Sequence, residues 1–123
     1  MRAGRVRVSR AKAARACHPR VGLPSVVGPV RILILSRSAT LYSTTRLVLA
    51  ARARGHEVDV ADALQFYLAV KRGRPEIYYR GEVPPRYDLI IPRIGASITS
   101  YGLAVVRHFE MMGVPCLNGA VAI

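Results

Sequence analysis

With 123 residues, 51% of them hydrophobic, the chain is long enough and apolar enough to bury a core, and it is no candidate for disorder throughout. No run approaches the ~18 apolar residues of a membrane-spanning helix, and the two cysteines sit in unlike contexts, Cys17 in a basic segment and Cys116 in a short apolar run, which argues against a disulfide framework and for a reducing, cytoplasmic setting. The net charge of +12 is uneven: residues 1–29 hold seven basic residues and no acid, whereas the remainder has twelve basic and seven acidic residues, a modest excess that suits an acidic or phosphorylated partner without demanding nucleic acid.

From Met1 to Pro29 the sequence is rich in Arg, Ala, Val, Gly and Pro and shows no lasting period. Three readings compete for it: a disordered basic arm, a targeting peptide, and a start assigned too far upstream. The absence of an amphipathic stripe and the scarcity of serine favour the arm or the upstream start, with Val30 as the alternative first residue of a domain spanning 30–123. Cys17-His18 has no second pair at metal-ligand spacing, so no metal site is expected there.

Arg31 to Ser36 contains four consecutive branched apolar residues, the pattern of a strand buried on both faces of a parallel sheet. The polar stretch SRSATLYS follows, and Ser43 is expected to cap a helix that buries Leu47, Val48, Ala50 and Ala51 and stops at Gly55. Glu57 to Ala61 alternates as a second strand, giving a βαβ unit. The apolar stretch between Asp62 and Lys71 predicts a short helix. After the cationic turn KRGRP, Glu76 to Val83 predicts a hairpin about Arg80-Gly81. Its tyrosines are expected to pack rather than stack on bases, because a nucleic-acid platform needs more interleaved aromatics and cations.

Asp88 to Pro92 is the next buried strand, and it delivers a loop with one arginine, a glycine and several hydroxyls to a helix carrying Tyr101, Val105, Phe109 and Met112 on its apolar side, ending at Gly113. Val114 to Leu117 reads as a last short strand, with Asn118 set to cap a helix beginning GAVAI. Five residues cannot stabilise a helix, so the domain is expected to be cut just as a new element begins. The element order predicts an α/β fold: a small Rossmann-like parallel sheet with flanking helices and a β-hairpin.

The chemistry-bearing residues are sparse. No nucleophile–base pair assembles; His56 follows a helix stop, His108 is expected on a helix surface, and the acids form no general acid/base pair. The stretch after the first strand has no glycine, which excludes a dinucleotide fingerprint and a P-loop. What remains is a set of polar groups at strand ends, where ligands bind in open α/β sheets: Ser36, Arg37, Thr40, Tyr42 and Ser43 after the first strand, Arg93, Ser97 and Thr99 after the third, and Asn118 after the fourth. Helix capping and loop solvation explain such a set about as well as ligand binding does, less so for Arg93.

The motifs ILSRSATLYSTTRL from Ile34, RGHEVDV from Arg54, IIPRIGASITSYG from Ile90, RHFEMMGVPCLN from Arg107 and the terminal AVAI, in this order, closely resemble the N-terminal, pre-ATP-grasp domain of RimK-type ligases. Those enzymes add glutamate to the C-terminus of small-subunit ribosomal protein six. The resemblance implies an ATP- and Mg²⁺-dependent acyl-phosphate mechanism whose nucleotide and metal ligands come from later subdomains, so no catalytic residue, metal ligand or cofactor is assigned to this chain. It implies instead one wall of a substrate cleft, with Arg93 of the PRIG motif as the candidate carboxylate contact and Ser36, Arg37, Tyr42, Ser43, Ser97, Thr99 and Asn118 as its candidate companions. The implied partners are an acidic ribosomal-protein tail, glutamate, the ATP-grasp domain and a possible second copy of the chain. The alternative is a stand-alone basic module that docks on ribosomal RNA or an acidic protein tail.

Overall fold

The computed structural model describes residues 28–123. The expectations for the basic segment, including Cys17 and His18, lie outside the described residues. Five strands and two helices follow in the order β1 (Arg31–Leu35), α1 (Tyr42–Ala53), β2 (Glu57–Ala61), β3 (Phe66–Lys71), β4 (Arg74–Tyr79), β5 (Leu89–Pro92) and α2 (Thr99–Met111). The α/β reading holds. β1 lies between β2 and β5 in an all-parallel sheet, pairing Ile32 with Val58 and Leu89, and Ile34 with Val60 and Ile91.

The run of four branched apolar residues in β1 is buried because both sheet faces are covered. Leu33 and Leu35 turn toward Ile90 and the α2 residues Val105, Val106 and Phe109, in a cluster that also takes Phe66 and Ile77. Ile32 and Ile34 turn the other way, toward Val58 and the α1 residues Leu47, Val48 and Ala51. Ala50, expected on the buried side of α1, is exposed, and Thr44 takes a fully buried position instead. The Val114–Leu117 stretch continues the sheet beyond β5 through a single parallel bridge, in which the Ile90 N–H donates to the Pro115 carbonyl at 2.9 Å and the Leu117 N–H to the Ile90 carbonyl at 2.9 Å.

The stretch 62–71 is not a helix. After a one-turn 3₁₀ segment, Ala63–Gln65, capped by the Asp62 carboxylate on the Leu64 N–H at 3.0 Å, the chain enters β3 and pairs with β4. Its apolar continuity hid a two-residue alternation in which Phe66 is buried and Tyr67 exposed. The hairpin therefore closes at Arg72-Gly73, not at Arg80-Gly81; φ values of 51° and 76° give the doubly left-handed turn that suits a two-residue connection. Arg80-Gly81 forms a second turn, closed by the pairing of Tyr79 with Glu82.

Helix α2 also buries a different stripe from the one its spacing suggests. Val105 and Phe109 are interior, but Tyr101 and Met112 are exposed, and Gly102, Val106 and His108 are buried in their place. The helix packs against both the parallel sheet and the hairpin, so its covered face is broad. His108, expected at the surface, joins its Nε2 to the Glu76 carbonyl of β4 at 2.7 Å.

Near the start of the sheet, Tyr87 donates its hydroxyl to Asp59 at 3.0 Å, and Asp59 lies 3.5 Å from the Arg31 guanidinium. Burial, and then the Asp59 charge, push the Tyr87 pKa well above its ordinary 10.0. The folded state thus holds this proton more tightly than the unfolded chain, so the stabilisation is complete below about pH 10 and is lost as pH rises beyond it. Tyr87→Phe is expected to cost about 1 kcal/mol at neutral pH, for a lost hydrogen bond, and to flatten the decline in stability above pH 10, as read from urea unfolding midpoints across pH.

Candidate functional site

The parallel sheet sends the C-terminal ends of β1 and β5 to one edge. There the Arg93 N–H donates to the Leu35 carbonyl at 2.8 Å, which ties the loop after β5 to the end of β1. An open cleft of about 350 Å³ lies at this edge, lined by Leu41, Ser43, Thr44, Pro92 to Gly95, Asn118 and Ile123. Arg93 is exposed and directs an Nη2–H to the Ser43 hydroxyl at 3.2 Å. Among the described residues no carboxylate pairs with it. Its planar fork therefore keeps donors for a carboxylate from outside.

Of the predicted set, Arg93, Ser43 and Asn118 come together in the cleft. Ser43 is not the cap of α1; Leu41 holds that position without a side-chain hydrogen bond, which leaves the Ser43 hydroxyl to meet Arg93. Asn118 does not cap a helix either. A 3₁₀ turn, Ala120–Ala122, begins after Gly119, and its Ala120 N–H is held by the Glu110 carboxylate at 3.1 Å. Ser36 lies beneath the cleft, buried, with its hydroxyl 3.1 Å from that of Thr44.

The other candidates fall away from the lining. Arg37 is exposed on the loop before α1, and Tyr42, the first residue of that helix, is 81% exposed. The Thr40 hydroxyl bonds that of Ser38 at 2.8 Å. Ser97 is exposed, and the Thr99 hydroxyl donates to the carbonyls of Gly95 and Ala96 at 3.3 and 3.2 Å, which makes it a local turn contact.

Two supporting residues escaped the sequence reading. Thr44 joins the start of α1 to Ser36 beneath the cleft, and only its place on the inner side of an amphipathic helix could have signalled it. Gly102 sits where any Cβ would lie 2.7 Å from Ile94 Cγ2, so its missing side chain lets the loop bearing Arg93 settle onto α2. Cys116, by contrast, offers no reactive thiol: burial, with a smaller push from the Glu110 charge, raises its pKa from 9.0 to about 11. Among the described residues no three His, Cys, Asp or Glu side chains converge as a metal site, and no helix is long and apolar enough to cross a membrane.

Residues 30–123 match the family model described as the RimK PreATP-grasp domain. The chain belongs to this family. A Hydrogenovibrio crunogenus protein named probable alpha-L-glutamate ligase is 60% identical over 94 residues, which make up 76% of this chain and 31% of that protein. A Shewanella loihica protein of the same name is 57% identical over the same coverage. The chain thus spans about a third of the length of the curated relatives it matches.

Solved ATP-grasp structures share the fold of this RimK pre-ATP-grasp domain. A RimK domain ATP-grasp protein from Sphaerobacter thermophilus superposes with a TM-score of 0.55 at 21% identity, over 74% of this chain and 31% of that one. The ATP-grasp ligase PsnB, complexed with a minimal precursor, gives 0.53 at 16% identity, over 74% and 36%.

Gly102→Ala is expected to destabilise the domain by roughly 1–3 kcal/mol, the usual cost of overpacking. Ile94 Cγ2 sits on a branched Cβ and cannot swing clear without moving the residue beside Arg93. Urea unfolding reads the loss, and shifted amide resonances for Arg93 and Ile94 read the displaced loop. In a Cys17→Ser background, iodoacetamide should label Cys116 slowly at pH 7.5, with a rate that climbs toward pH 11, as followed by mass spectrometry.

Proposed function

We propose that this domain forms one wall of the substrate cleft of a RimK-type, ATP-dependent glutamate ligase, and that the acceptor is the acidic C-terminal tail of a ribosomal protein in the cytoplasm. The observation that carries the reading is Arg93: an exposed arginine of the PRIG motif, steadied by Ser43 and with no carboxylate beside it among the described residues. Relatives named alpha-L-glutamate ligase supply the substrate class.

In such a ligase a carboxylate is activated as an acyl phosphate, and the glutamate amine then attacks the acyl carbon as phosphate leaves. ATP and Mg²⁺ supply the activation. This reading assigns the nucleotide and its metal to the ATP-grasp part of the enzyme, with which this domain would work. The share assigned to this chain is to bind and orient. Arg93 grips an acceptor or glutamate carboxylate through two parallel N–H bonds, Ser43 holds the guanidinium, and Asn118 adds a polar contact across the cleft. The alternative of a basic arm on ribosomal RNA depends on residues outside the described set.

The test joins this chain to the ATP-grasp region of the Hydrogenovibrio crunogenus relative and follows glutamate addition to an acidic peptide by mass spectrometry. The chimera is expected to ligate and the isolated chain to be inactive. Arg93→Ala should lower kcat/KM about 10- to 100-fold, the scale of one charged hydrogen-bonding contact, and Arg93→Lys should recover little because a bidentate fork is lost. Ligation by the isolated chain, or an Arg93→Ala chimera of full activity, overturns the reading.

A further inference from the structure

The two Arg-Gly turns of the hairpin pose a physical puzzle. Both arginines take a left-handed backbone, with φ of 51° at Arg72 and 50° at Arg80, where glycine or asparagine is at ease and a long side chain is not. Arg80 has an internal use: its guanidinium lies 5.3 Å over the Tyr79 ring, and its N–H donates to the Gln65 carbonyl at 3.1 Å. Arg72 has none. Among the described residues neither Arg72 nor Arg74 makes an ion pair or a side-chain hydrogen bond, and both are exposed. The turn needs a left-handed backbone whatever residue fills it, so the unexplained feature is the side chain: a long cation stands where glycine or asparagine would be at ease, and it has no such partner in the fold.

The surroundings of Arg72 indicate what it meets. β3 and β4 pair Lys71 with Arg74, Ala69 with Glu76, and Tyr67 with Tyr78, and alternation puts these six residues on one face. With Arg72 in the turn between Lys71 and Arg74, three cations gather at the tip, of which only Lys71 is offset, by Glu76 at 3.8 Å. Tyr67 is 66% exposed behind them. A nucleic acid is poorly served by this face. The Glu76 carboxylate, which also accepts the Tyr78 hydroxyl at 2.7 Å, stands between tip and tyrosines, in the path of a phosphate chain. The two tyrosine rings lie 6.4 Å apart and tilted by 50°, packed on each other rather than spread to admit a base. A short run of carboxylates held at the tip fits the charge without crossing Glu76.

We propose that the β3–β4 turn is a docking point for a short acidic segment of a partner protein, gripped by Arg72 and Arg74 and separate from the Arg93 cleft. The test titrates the ¹⁵N-labelled full chain with a hexaglutamate peptide and, separately, with hexauridylate RNA. The peptide should shift the amides of Arg72, Gly73 and Arg74 saturably. An Arg72→Asn/Arg74→Ser variant should bind at this turn about tenfold more weakly, the combined scale of two exposed charge contacts, with a Tm equal to or above that of the parent because asparagine accepts the left-handed turn. Arg93→Ala should leave these shifts intact, so failure here and failure of the cleft reading are told apart. Shifts absent from the turn, a stronger response there to hexauridylate, or a lower Tm in the double variant overturns the proposal.

Discussion

Burial of β1 between two parallel neighbours is the constraint on which the other elements depend. Alternation along a strand sends Leu33 and Leu35 to one face and Ile32 and Ile34 to the other, so each face needs its own cover. α1 covers one, while α2 and the hairpin share the other. Parallel pairing has a second effect. It brings the ends of β1 and β5 to the same edge, where a backbone hydrogen bond from Arg93 to Leu35 joins them. The cleft follows from the core: without a buried β1 there is no shared edge for Ser43, Arg93 and Asn118.

The parallel sheet was legible because its signal is dense. Four branched residues in a row admit few environments, and the polar residues after β1 and β5 could be read at a common end of the sheet, where Ser43 and Arg93 meet. The stretch 62–71 was not legible, since a short apolar run satisfies a helix and a strand equally well by composition, and the decision rests on long-range contacts. Phe66 settles it by stacking edge-on against Phe109, with ring centres 5.6 Å apart, an α2 contact that no local pattern displays. The same blindness hid His108, whose partner carbonyl at Glu76 lies 32 residues away.

Site residues divided along a similar line. Arg93 could be singled out because an isolated arginine between a buried strand and a helix start has few structural duties. Ser97, Thr99, Tyr42 and Arg37 share its position in sequence but not in space: Tyr42 and Thr99 open helices, whose first turn points successive side chains about 100° apart, and Arg37 and Ser97 lie exposed in the stretches before them. Ser43 was read in two ways, as a cap and as a companion of Arg93; the cap fails because Leu41 occupies that position, and the hydroxyl meets the arginine. Gly102 could not be read at all, because the need for a missing side chain exists only once Ile94 is packed against α2.

The arginines of the domain sort by what offsets their charge, and the sorting bears on function more than their number does. Arg31 is held between Asp59 and the Tyr87 ring, 5.9 Å away, and belongs to the fold. Arg80 lies on Tyr79 and belongs to the hairpin. Arg93 is steadied by a neutral hydroxyl, which orients a cation without quenching it, and this is the condition for binding an anion from outside rather than from within. A carboxylate in place of Ser43 would hold the guanidinium more firmly and leave it little affinity to spare. The choice of serine at that position is what keeps the cleft cationic.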